Sequence, residues 1–457
     1  MKKLLPLLVG LIAFACVSFD AKSETFPPDS TTNVLDKASS AYMIEEGRML
    51  FSEGRIKDAL IKFRQAAIKD PNSWKASYWV SQCHYKLNNY GYALKYAQEA
   101  ISHGDDKMDP EIYYVLGAIY HRLGNLDTAV INYTKSIELL PKRRSKELRI
   151  EHFVLECAFA KEELKKTPSY NRIAPKGDIN SGYDDYNIVL TDGGTKMYFT
   201  SRRSNTTGGG MNPDDQQYFE DVYRAVWNPT SNAWDSITND LGRLNSDGFD
   251  AINYISPDGQ YAVMTINNSA LDMKKTTRGS DICETKLSSK GLWATPKSIK
   301  NKSINTSYFE GAATVTADGN TMYFVTDRKG EKSSTDIYVV HKNGKAWGTA
   351  EPLPMTINTE ARETTPFITP DGRYLFFSSN GHVGMGGLDI YVVENLGSTW
   401  GTPINLGSGI NTVNDDTHFV YFQELKKAYI AGAEIIGDKS SIDAYEVDMT
   451  NFSFPEK

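Results

Sequence analysis

The sequence predicts a chain of two parts, a solenoid of α-helix pairs followed by an all-β propeller of five blades. Apolar residues recur at helical spacing over residues 37–168, where Gly and Pro are sparse. Over residues 169–457, tight turns, short aromatic strands and a closing Asn recur at intervals of about 50 to 66 residues, which is typical of propeller blades. A six-bladed ring is the alternative, since part of residues 171–190 or residues 452–455 could form an extra pair of strands.

Residues 1–15 indicate an export signal. The chain starts with positive charge, and the apolar run that follows is too short to span a bilayer. Cleavage after Ala15 would leave Cys16 at the new N-terminus, which resembles a bacterial lipoprotein signal in which that Cys is lipidated. The residues just before Ala15 depart from the lipoprotein pattern, so a plain secretory cut is the alternative. Residues 16–36 are polar and are expected to form a tether.

Three helix pairs can be aligned at a period of about 34 residues. They begin near Ser40, Trp74 and Pro110. Small residues recur where two helices would approach closely, and the third pair carries the fullest pattern, namely Tyr113, Leu116, Gly117, Tyr120, Ala129, Tyr133, Ser136 and Pro141. The pattern resembles the tetratricopeptide repeat. The second pair is the weakest copy, because Ser81 and His84 replace the expected Gly and Tyr. A final helix over about 144–166 is expected to cap the stack.

Each blade of the propeller is predicted to begin with a turn and to end on an Asn. The turns are Asp192-Gly193, Asp258-Gly259, Asp318-Gly319 and Asp371-Gly372, with Gln423-Glu424 in a degenerate fifth copy. Asp-Gly supplies the positive φ that such turns need. The motif Leu/Ile-Asn-Ser/Thr closes four repeats, and an extra copy at 179–181 precedes the first turn. Residues 171–181 are therefore predicted to supply the outer strand of the last blade and to close the ring.

An acidic residue stands eight positions before each turn. The five are Asp184, Asp250, Glu310, Glu363 and Asp415. They are expected to gather at one mouth of the central channel, where like charges would raise one another's pKa or attract a cation. The functional interpretation is a site for a metal ion, a cationic substrate or a basic peptide. The structural interpretation, which repetition in every blade favours, is that each acid accepts backbone N–H bonds or pairs with a base such as Arg203 or Arg328.

The loops between the second and third strands vary most between the blades. They span residues 205–220, 267–280, 329–335, 380–388 and 432–442. They are expected on the same face as the acids, and long loops on one face of a repeat array commonly bind partners. The glycines at 208–210 and 384–387 are interpreted as hairpin glycines, because the following helix and the Lys-Ser/Thr of a phosphate-binding loop are lacking.

Composition and motifs favour a binding protein over an enzyme. The net charge of −7 argues against nucleic acid as a partner. No Gly-x-Ser-x-Gly or His-Glu-x-x-His motif occurs. Cys83, Cys157 and Cys283 show no metal-ligand spacing and are expected in the core without disulfides. The sequence therefore predicts no catalytic residue, no metal and no cofactor.

Residues 369–412 carry the motif series Pro-Asp-Gly, Phe-x-Ser, Gly-Gly-x-Asp-Ile-Tyr, Trp-Gly-x-Pro, Asn-Leu-Gly and Ile-Asn-Thr. Together with the helical repeats, this series resembles a family of Bacteroidetes envelope proteins with TolB-type, WD-repeat-like propellers. The order is similar to PorE-like proteins associated with type IX secretion and gliding, and to OmpA-type relatives. The OmpA-like peptidoglycan-binding domain that such relatives often carry is not found before Lys457, which puts anchoring to the cell wall by this chain in doubt.

The resemblance implies a non-enzymatic scaffold on the periplasmic side of the outer membrane, with other envelope proteins as partners. These would include secretion subunits or an outer-membrane β-barrel. Two alternatives stay open. One is a propeller that binds or hydrolyses a ligand or glycan at the acidic channel mouth, and the other is a surface-exposed lipoprotein for nutrient capture.

Overall fold

The computed structural model describes residues 33–104, 108–267, 279–328, 334–436 and 439–454. The predicted export signal, Cys16 and most of the tether lie outside these ranges. Within them, no helix is long and apolar enough to cross a membrane. A helical part comes first in the chain and a part built of five sheets follows it.

The helical part consists of three antiparallel pairs and two further helices. They are α1 (Val34–Ser52), α2 (Ile56–Lys69), α3 (Trp74–Lys86), α4 (Tyr90–Ser102), α5 (Glu111–Arg122), α6 (Leu126–Leu139), α7 (Lys142–Glu147) and α8 (Ile150–Glu163). The side chains of Asn33 and Ser73 cap α1 and α3 by accepting N–H bonds within the first turn. Helices α1 and α2, α3 and α4, and α5 and α6 pack as the pairs that the sequence predicts.

Small residues permit the close helix contacts in each pair. A Cβ atom added to Gly117 would lie 2.5 Å from the ring of Tyr133, and one added to Gly47 would lie 2.5 Å from Phe63. The second pair holds Ser81 at this place. The residue that corresponds to Tyr133 there is Ala97, and the Ser81 hydroxyl donates to the Ala93 carbonyl at 2.7 Å. The departure of the second copy from the repeat pattern is thus compensated across the helix contact.

The end of the helical part differs from the prediction of one capping helix over 144–166. Two helices, α7 and α8, stand there instead. Arg149 separates them, because its φ of 52° is left-handed and cannot continue a helix. The Arg149 guanidinium donates to the carbonyls of Asn380 and Gly381 at 3.5 and 3.4 Å, so contact with the propeller accompanies the break.

Five antiparallel sheets form a five-bladed propeller, as predicted, and not a six-bladed one. Blade 1 holds β2 (Asp185–Thr191), β3 (Lys196–Ser201), β4 (Asp221–Asn228) and β5 (Ala233–Thr238). Blade 2 holds β6 (Phe249–Ile255), β7 (Tyr261–Asn267), β8 (Asp281–Lys286) and β9 (Lys297–Ser298). Blade 3 holds β10 (Glu310–Val315), β11 (Thr321–Thr326), β12 (Asp336–Asn343), β13 (Ala346–Trp347) and β14 (Glu351–Pro352). Blade 4 holds β15 (Glu363–Ile368), β16 (Tyr374–Ser379), β17 (Asp389–Glu394) and β18 (Ile404–Asn405).

Blade 5 joins the two ends of the ring. It holds β19 (Asp416–Phe422), β20 (Lys427–Ile436), β21 (Lys439–Asp448) and, as its outer strand, β1 (Arg172–Ile173) from the start of the propeller. The predicted strand exchange is therefore confirmed. Residues Phe452 and Phe454, considered above for a sixth blade, form no strand; the ring of Phe454 stacks on that of Tyr374 at 4.0 Å.

One Asn per blade fixes the closing motif to the third strand. Its side-chain oxygen accepts the N–H of one residue and its side-chain nitrogen donates to the carbonyl of the same residue, at 2.8 to 3.0 Å. The pairs are Asn245–Val222, Asn305–Ile282, Asn358–Ile337, Asn411–Ile390 and, across the ring closure, Asn180–Ala444. Because the same bonds recur at the chain ends, the seam between blades 5 and 1 is built like the internal seams.

Candidate functional site

The five predicted channel-mouth acids do not form one equivalent set. Asp250, Glu310 and Glu363 lie at the first or second residue of an inner strand. In blades 1 and 5 the equivalent position is held by Asp185 and Asp416. The predicted residues Asp184 and Asp415 lie one residue before it. The turns explain this shift. Asp192 and Gln423 are the first residues of their 3₁₀ turns, whereas Asp258, Asp318 and Asp371 are the second residues of their turns. Counting back eight residues therefore selects the wrong neighbour in blades 1 and 5.

The residues that are equivalent in the structure are fully buried acids. Each accepts both the N–H and the hydroxyl of a Ser or Thr four residues earlier. The pairs are Ser181–Asp185, Ser246–Asp250, Thr306–Glu310, Thr359–Glu363 and Thr412–Asp416. All five acids have an exposed fraction of 0%. These bonds join the closing motif of one blade to the inner strand of the next.

Most of these acids also have a second polar partner. Arg203 lies 3.3 Å from Asp185, and Arg328 lies 3.4 Å from Glu310. Arg172 pairs with Asp416, and the hydroxyl of Ser379 donates to Glu363. Burial raises the pKa of Asp185, Glu310, Glu363 and Asp416, and the hydrogen bonds and arginines oppose that rise.

Asp250 is the exception. Its Oδ2 accepts the two bonds from Ser246, but its Oδ1 is buried without a hydrogen-bond partner. Burial raises the pKa of Asp250 to about 7. This carboxyl is therefore largely protonated below neutral pH, because an uncharged acid costs less free energy to bury than a carboxylate does.

The channel is narrow where the inner strands bulge. Asn187, Ala312, Thr365 and His418 adopt left-handed backbone angles there, with φ between 45° and 58°. Threonine hydroxyls bridge neighbouring blades, as when Thr365 accepts the N–H of His418 at 3.2 Å. The cavity at this waist has a volume of about 20 Å³, which is room for about one water molecule.

Three of the five predicted binding loops contact the helical part instead of standing free. The Gln216 side chain donates to Asp58 at 3.2 Å, and the Ser440 hydroxyl donates to the Leu87 carbonyl at 3.0 Å. The carbonyl of Met385 lies 2.8 Å from His121 Nε2. The other two loops, 267–280 and 329–335, fall largely outside the described residues. The helices thus cover much of the face on which a partner site was predicted.

Arg122 at the end of α5 is the centre of this contact between the two parts. Its guanidinium lies 3.0 Å from the Asp415 carboxylate and donates to the Val413 carbonyl at 3.1 Å. Although burial opposes the shift, Arg122 lowers the pKa of Asp415. Met385 and Val413 pack into the apolar cluster of α5, α6 and α8, which makes the contact apolar as well as charged.

The glycines of the loop at 384–387 serve close approach and not hairpin geometry. None of them has a positive φ. A Cβ atom on Gly384 would overlap the Asp389 carboxylate, one on Gly386 the Val413 carbonyl, and one on Gly387 Asp415 together with Arg122. Sequence reasoning missed this interface. The available signal was an apolar Met385 within a run of glycines.

A second buried polar group lies where α8 meets blade 4. Glu156 Oε2, Asp389 Oδ1 and the Tyr391 hydroxyl are buried without hydrogen-bond partners, while Glu156 Oε1 lies 2.9 Å from His152 Nε2. Burial raises the pKa of both carboxyls well above the usual range and lowers the pKa of His152 to about 4. These shifts favour the uncharged form of each group, which suits an interface closed to water.

The first helix pair carries an exposed apolar face. Its members are Leu35, Tyr42 and Met49 of α1 and Ile61 and Ile68 of α2, with exposed fractions from 50% to 81%. Between Met49 and Ile61 runs a groove of about 450 Å³. The end repeat of a helical stack is normally polar on its outer side, because no further repeat covers it. This end is apolar, so it is the surface of the helical part best suited to a partner.

Comparison with known proteins identifies the third helix pair. Residues 110–143 match the family model of the tetratricopeptide repeat. None of the curated proteins matches the chain. Tetratricopeptide repeats generally bind partner proteins or peptides, and this is the functional meaning that the match carries.

Three solved structures are similar in part. The type III secretion translocator chaperone SycD of Yersinia enterocolitica is 15% identical, with 28% of this chain and 99% of that chain covered and a TM-score of 0.26. YrrB, a tetratricopeptide-repeat protein with an unusual peptide-binding site, is 19% identical, with 29% and 68% covered and a TM-score of 0.24. An endo-arabinase from Bacteroides thetaiotaomicron is 14% identical, with 60% and 94% covered and a TM-score of 0.36.

Proposed function

We propose that the protein is a non-enzymatic scaffold that holds a partner-binding helical stack in a fixed orientation on a propeller. The contact of Arg122 with Asp415 and Val413 carries this proposal, together with the apolar packing of Met385 beside it. A mostly buried arginine set into an apolar contact resists sliding, because any shift leaves its charge unpaired. The two parts therefore present their free surfaces at a constant distance, as an assembly subunit requires.

The apolar face of the first helix pair is the proposed partner site. Met49 and Ile61 border its groove together with the ion pair Lys62–Glu46, and a second ion pair, Lys69–Asp36, also joins α1 to α2. Large exposed apolar residues that lie together and are rimmed by charge are typical of protein interaction sites. A partner polypeptide that packs there would continue the helical stack by one layer.

The proposed location is the periplasmic side of the outer membrane, with Cys16 as the lipidated residue. The sequence of the first 16 residues supports export, and the motif series at 369–412 supports an assembly of the type IX secretion or gliding kind. Metabolic labelling with an alkyne-bearing palmitate, compared between the native chain and Cys16→Ser, tests the anchor. Equal labelling of the two would remove the lipoprotein proposal and leave a secretory cut.

Crosslinked recovery of the tagged protein from native membranes tests the scaffold. Mass spectrometry should find envelope proteins with the native chain, and Met49→Glu with Ile61→Glu should lose one of them. Ile131→Glu is the matched control, since Ile131 is a helical residue with a similar exposed fraction of 66%. Unchanged recovery with the double variant would reject the first helix pair as the site. Recovery of nothing by a folded protein would reject the scaffold itself.

A further inference from the structure

Three of the five seams between blades share a ring contact on the face that carries the Asp-Gly turns, and this contact is taken as the rule. In blade 1 the ring of Tyr198 meets Trp293 of the next blade edge-on, at 6.2 Å between centroids. Tyr323 of blade 3 meets Trp400 in the same way at 6.0 Å. Phe376 of blade 4 lies against Phe452, which stands in for the missing Trp. An aromatic residue of one blade is thus covered by a ring from the next.

The seam between blades 2 and 3 breaks this rule. The strand register places Val263 of β7 where blades 1 and 3 have Tyr198 and Tyr323. Among the described residues, no aromatic ring packs against Trp347 of blade 3. The ammonium group of Lys342 lies over its ring instead, at 4.7 Å from the centroid. One partner of the usual ring pair is therefore missing from the chain at this seam.

A groove of about 780 Å³ lies at this place, with the rings of Tyr254, Tyr261 and Trp347 in its lining. It opens on the turn face, since Asp258 and Asp318 of two Asp-Gly turns border it. The turns join the first and second strands, so they lie at the opposite end of the blades from the loops that contact the helices. The helical part consequently leaves this groove uncovered.

The acids and the lysines of the groove differ in whether they have polar partners. Its acids already accept hydrogen bonds, Asp258 from Gln260 and Asp318 from Asn320 within their turns, and Glu284 from the Tyr261 hydroxyl. Its lysines have no carboxylate within ion-pair distance among the described residues. They are Lys286, Lys300, Lys342 and Lys345. With four lysines against three carboxylates, the groove lining carries a net charge of +1. Its unpaired lysines lie beside a Trp ring that no other ring covers among the described residues.

We propose that this groove binds an aromatic side chain carried by an acidic segment of a partner protein. The ring would take the place against Trp347 that Tyr198 and Tyr323 take against their tryptophans, and the partner's carboxylates would pair with Lys300 and Lys345. Lys342 would turn from the Trp347 ring to a carboxylate, exchanging a surface cation–π contact for an ion pair. This site is additional to the proposed scaffold surface, because it does not involve the first helix pair.

Titration of the full-length protein with a short peptide tests the site. The probe is Ac-Glu-Asp-Tyr-Glu-NH2, with Ac-Glu-Asp-Ala-Glu-NH2 as its control. The protein is labelled with 5-fluorotryptophan, and Trp347→Phe assigns the fluorine resonance of Trp347 among those of the seven tryptophans. The Trp347 resonance should shift with the Tyr peptide, and the Ala peptide should bind about tenfold more weakly. An unmoved resonance, or equal binding of the two peptides, would overturn the proposal.

Val263→Tyr is the decisive variant, since it restores from within the chain the ring that this seam lacks. We expect it to weaken the Tyr peptide about tenfold. Unchanged affinity in a folded Val263→Tyr protein would contradict the proposed position of the ring. If that variant does not fold, Lys300→Glu with Lys345→Glu should weaken binding severalfold, while Lys290→Glu, an exposed lysine outside the groove, should not. Loss of partner recovery in the membrane experiment with intact peptide binding would reject the scaffold alone.

Discussion

Arg122 of the helical part lies 3.0 Å from Asp415 of the propeller and also donates to the Val413 carbonyl. The side chain of Arg122 is mostly buried, with an exposed fraction of 18%, whereas that of Asp415 is 54% exposed. The arginine is thus the member of the pair that the interface encloses. Its loss leaves a half-buried carbonyl without this donor and an interface loop without its fixed partner.

Arg122→Ala should separate the unfolding of the two parts. We expect a loss of about 1–3 kcal/mol of interface free energy, because a half-buried carbonyl and the Asp415 carboxylate both lose their partner. Calorimetry should show one transition for the native chain and two for the variant. Arg143→Ala, which removes an exposed pair with Glu147, is the control and should change stability by less than about 0.5 kcal/mol. A single transition in the Arg122 variant would show that apolar packing alone holds the parts together.

Asp250→Asn should change how stability depends on pH. Because the pKa of Asp250 is raised to about 7 in the folded state, the unfolded chain releases this proton at lower pH than the folded chain. The contribution of the acid is fully present below about pH 4 and is lost as pH rises through about 7. As pH rises between these values, the free energy of unfolding of the variant should therefore increase relative to that of the native chain, by up to about 4 kcal/mol.

Urea unfolding at several pH values measures this difference. Glu424→Gln is the control, since Glu424 is an exposed carboxylate in the turn of blade 5. The Asn amide keeps an acceptor for the two Ser246 bonds, so loss of those bonds is not expected to obscure the result. Parallel curves for the native chain and Asp250→Asn would mean that Asp250 is ionised in the folded protein.

Gly117→Ala should destabilise the third helix pair by about 1–3 kcal/mol, because its Cβ would lie 2.5 Å from the buried ring of Tyr133. Gly91→Ala in α4 is the matched control. A Cβ there meets nothing within 4 Å, so the lower entropy of the unfolded chain should stabilise the protein by about 0.4–1 kcal/mol. Thermal unfolding followed by circular dichroism compares the two. Equal effects of both substitutions would contradict the packing account.

The fold follows from local patterns and so was accessible from the sequence. Apolar spacing set the helix pairs, and turn and Asn motifs set five blades and their closure. The positive φ of Gly193, Gly259, Gly319 and Gly372 confirms the turn prediction. Cys83, Cys157 and Cys283 are buried free thiols, as expected for core residues. Each of these features depends on neighbours within one repeat.

The candidate site depends on residues that are remote in sequence and was predicted less well. Asp415 was assigned to a channel mouth, but its position is set by Arg122, almost 300 residues earlier. No repeat pattern reports such a pair. The shift from Asp184 to Asp185 has a different cause. The Asp-Gly dipeptide of blade 1 lies in a 3₁₀ turn and stands one residue nearer in sequence to the buried acid of its inner strand than the Asp-Gly of blades 2 to 4 does. The repeated motifs therefore predict the fold, but they do not predict which of two adjacent acids occupies the equivalent position in each blade.

Asn180→Ala should open the propeller at its closure before any other seam. The Asn180 side chain holds Ala444 by two bonds of 2.9 Å, and among the described residues only the two-residue strand β1 adds backbone strand pairing there. Hydrogen exchange should become faster in β21 and β1 and stay unchanged in blades 2 to 4. The free energy of opening at the closure should fall by about 1–3 kcal/mol. Asn320→Ala, at an exposed turn, should leave exchange as it was. Exchange that rises equally in all blades would mean that the ring opens only by global unfolding and that the closure is no weaker than the other seams.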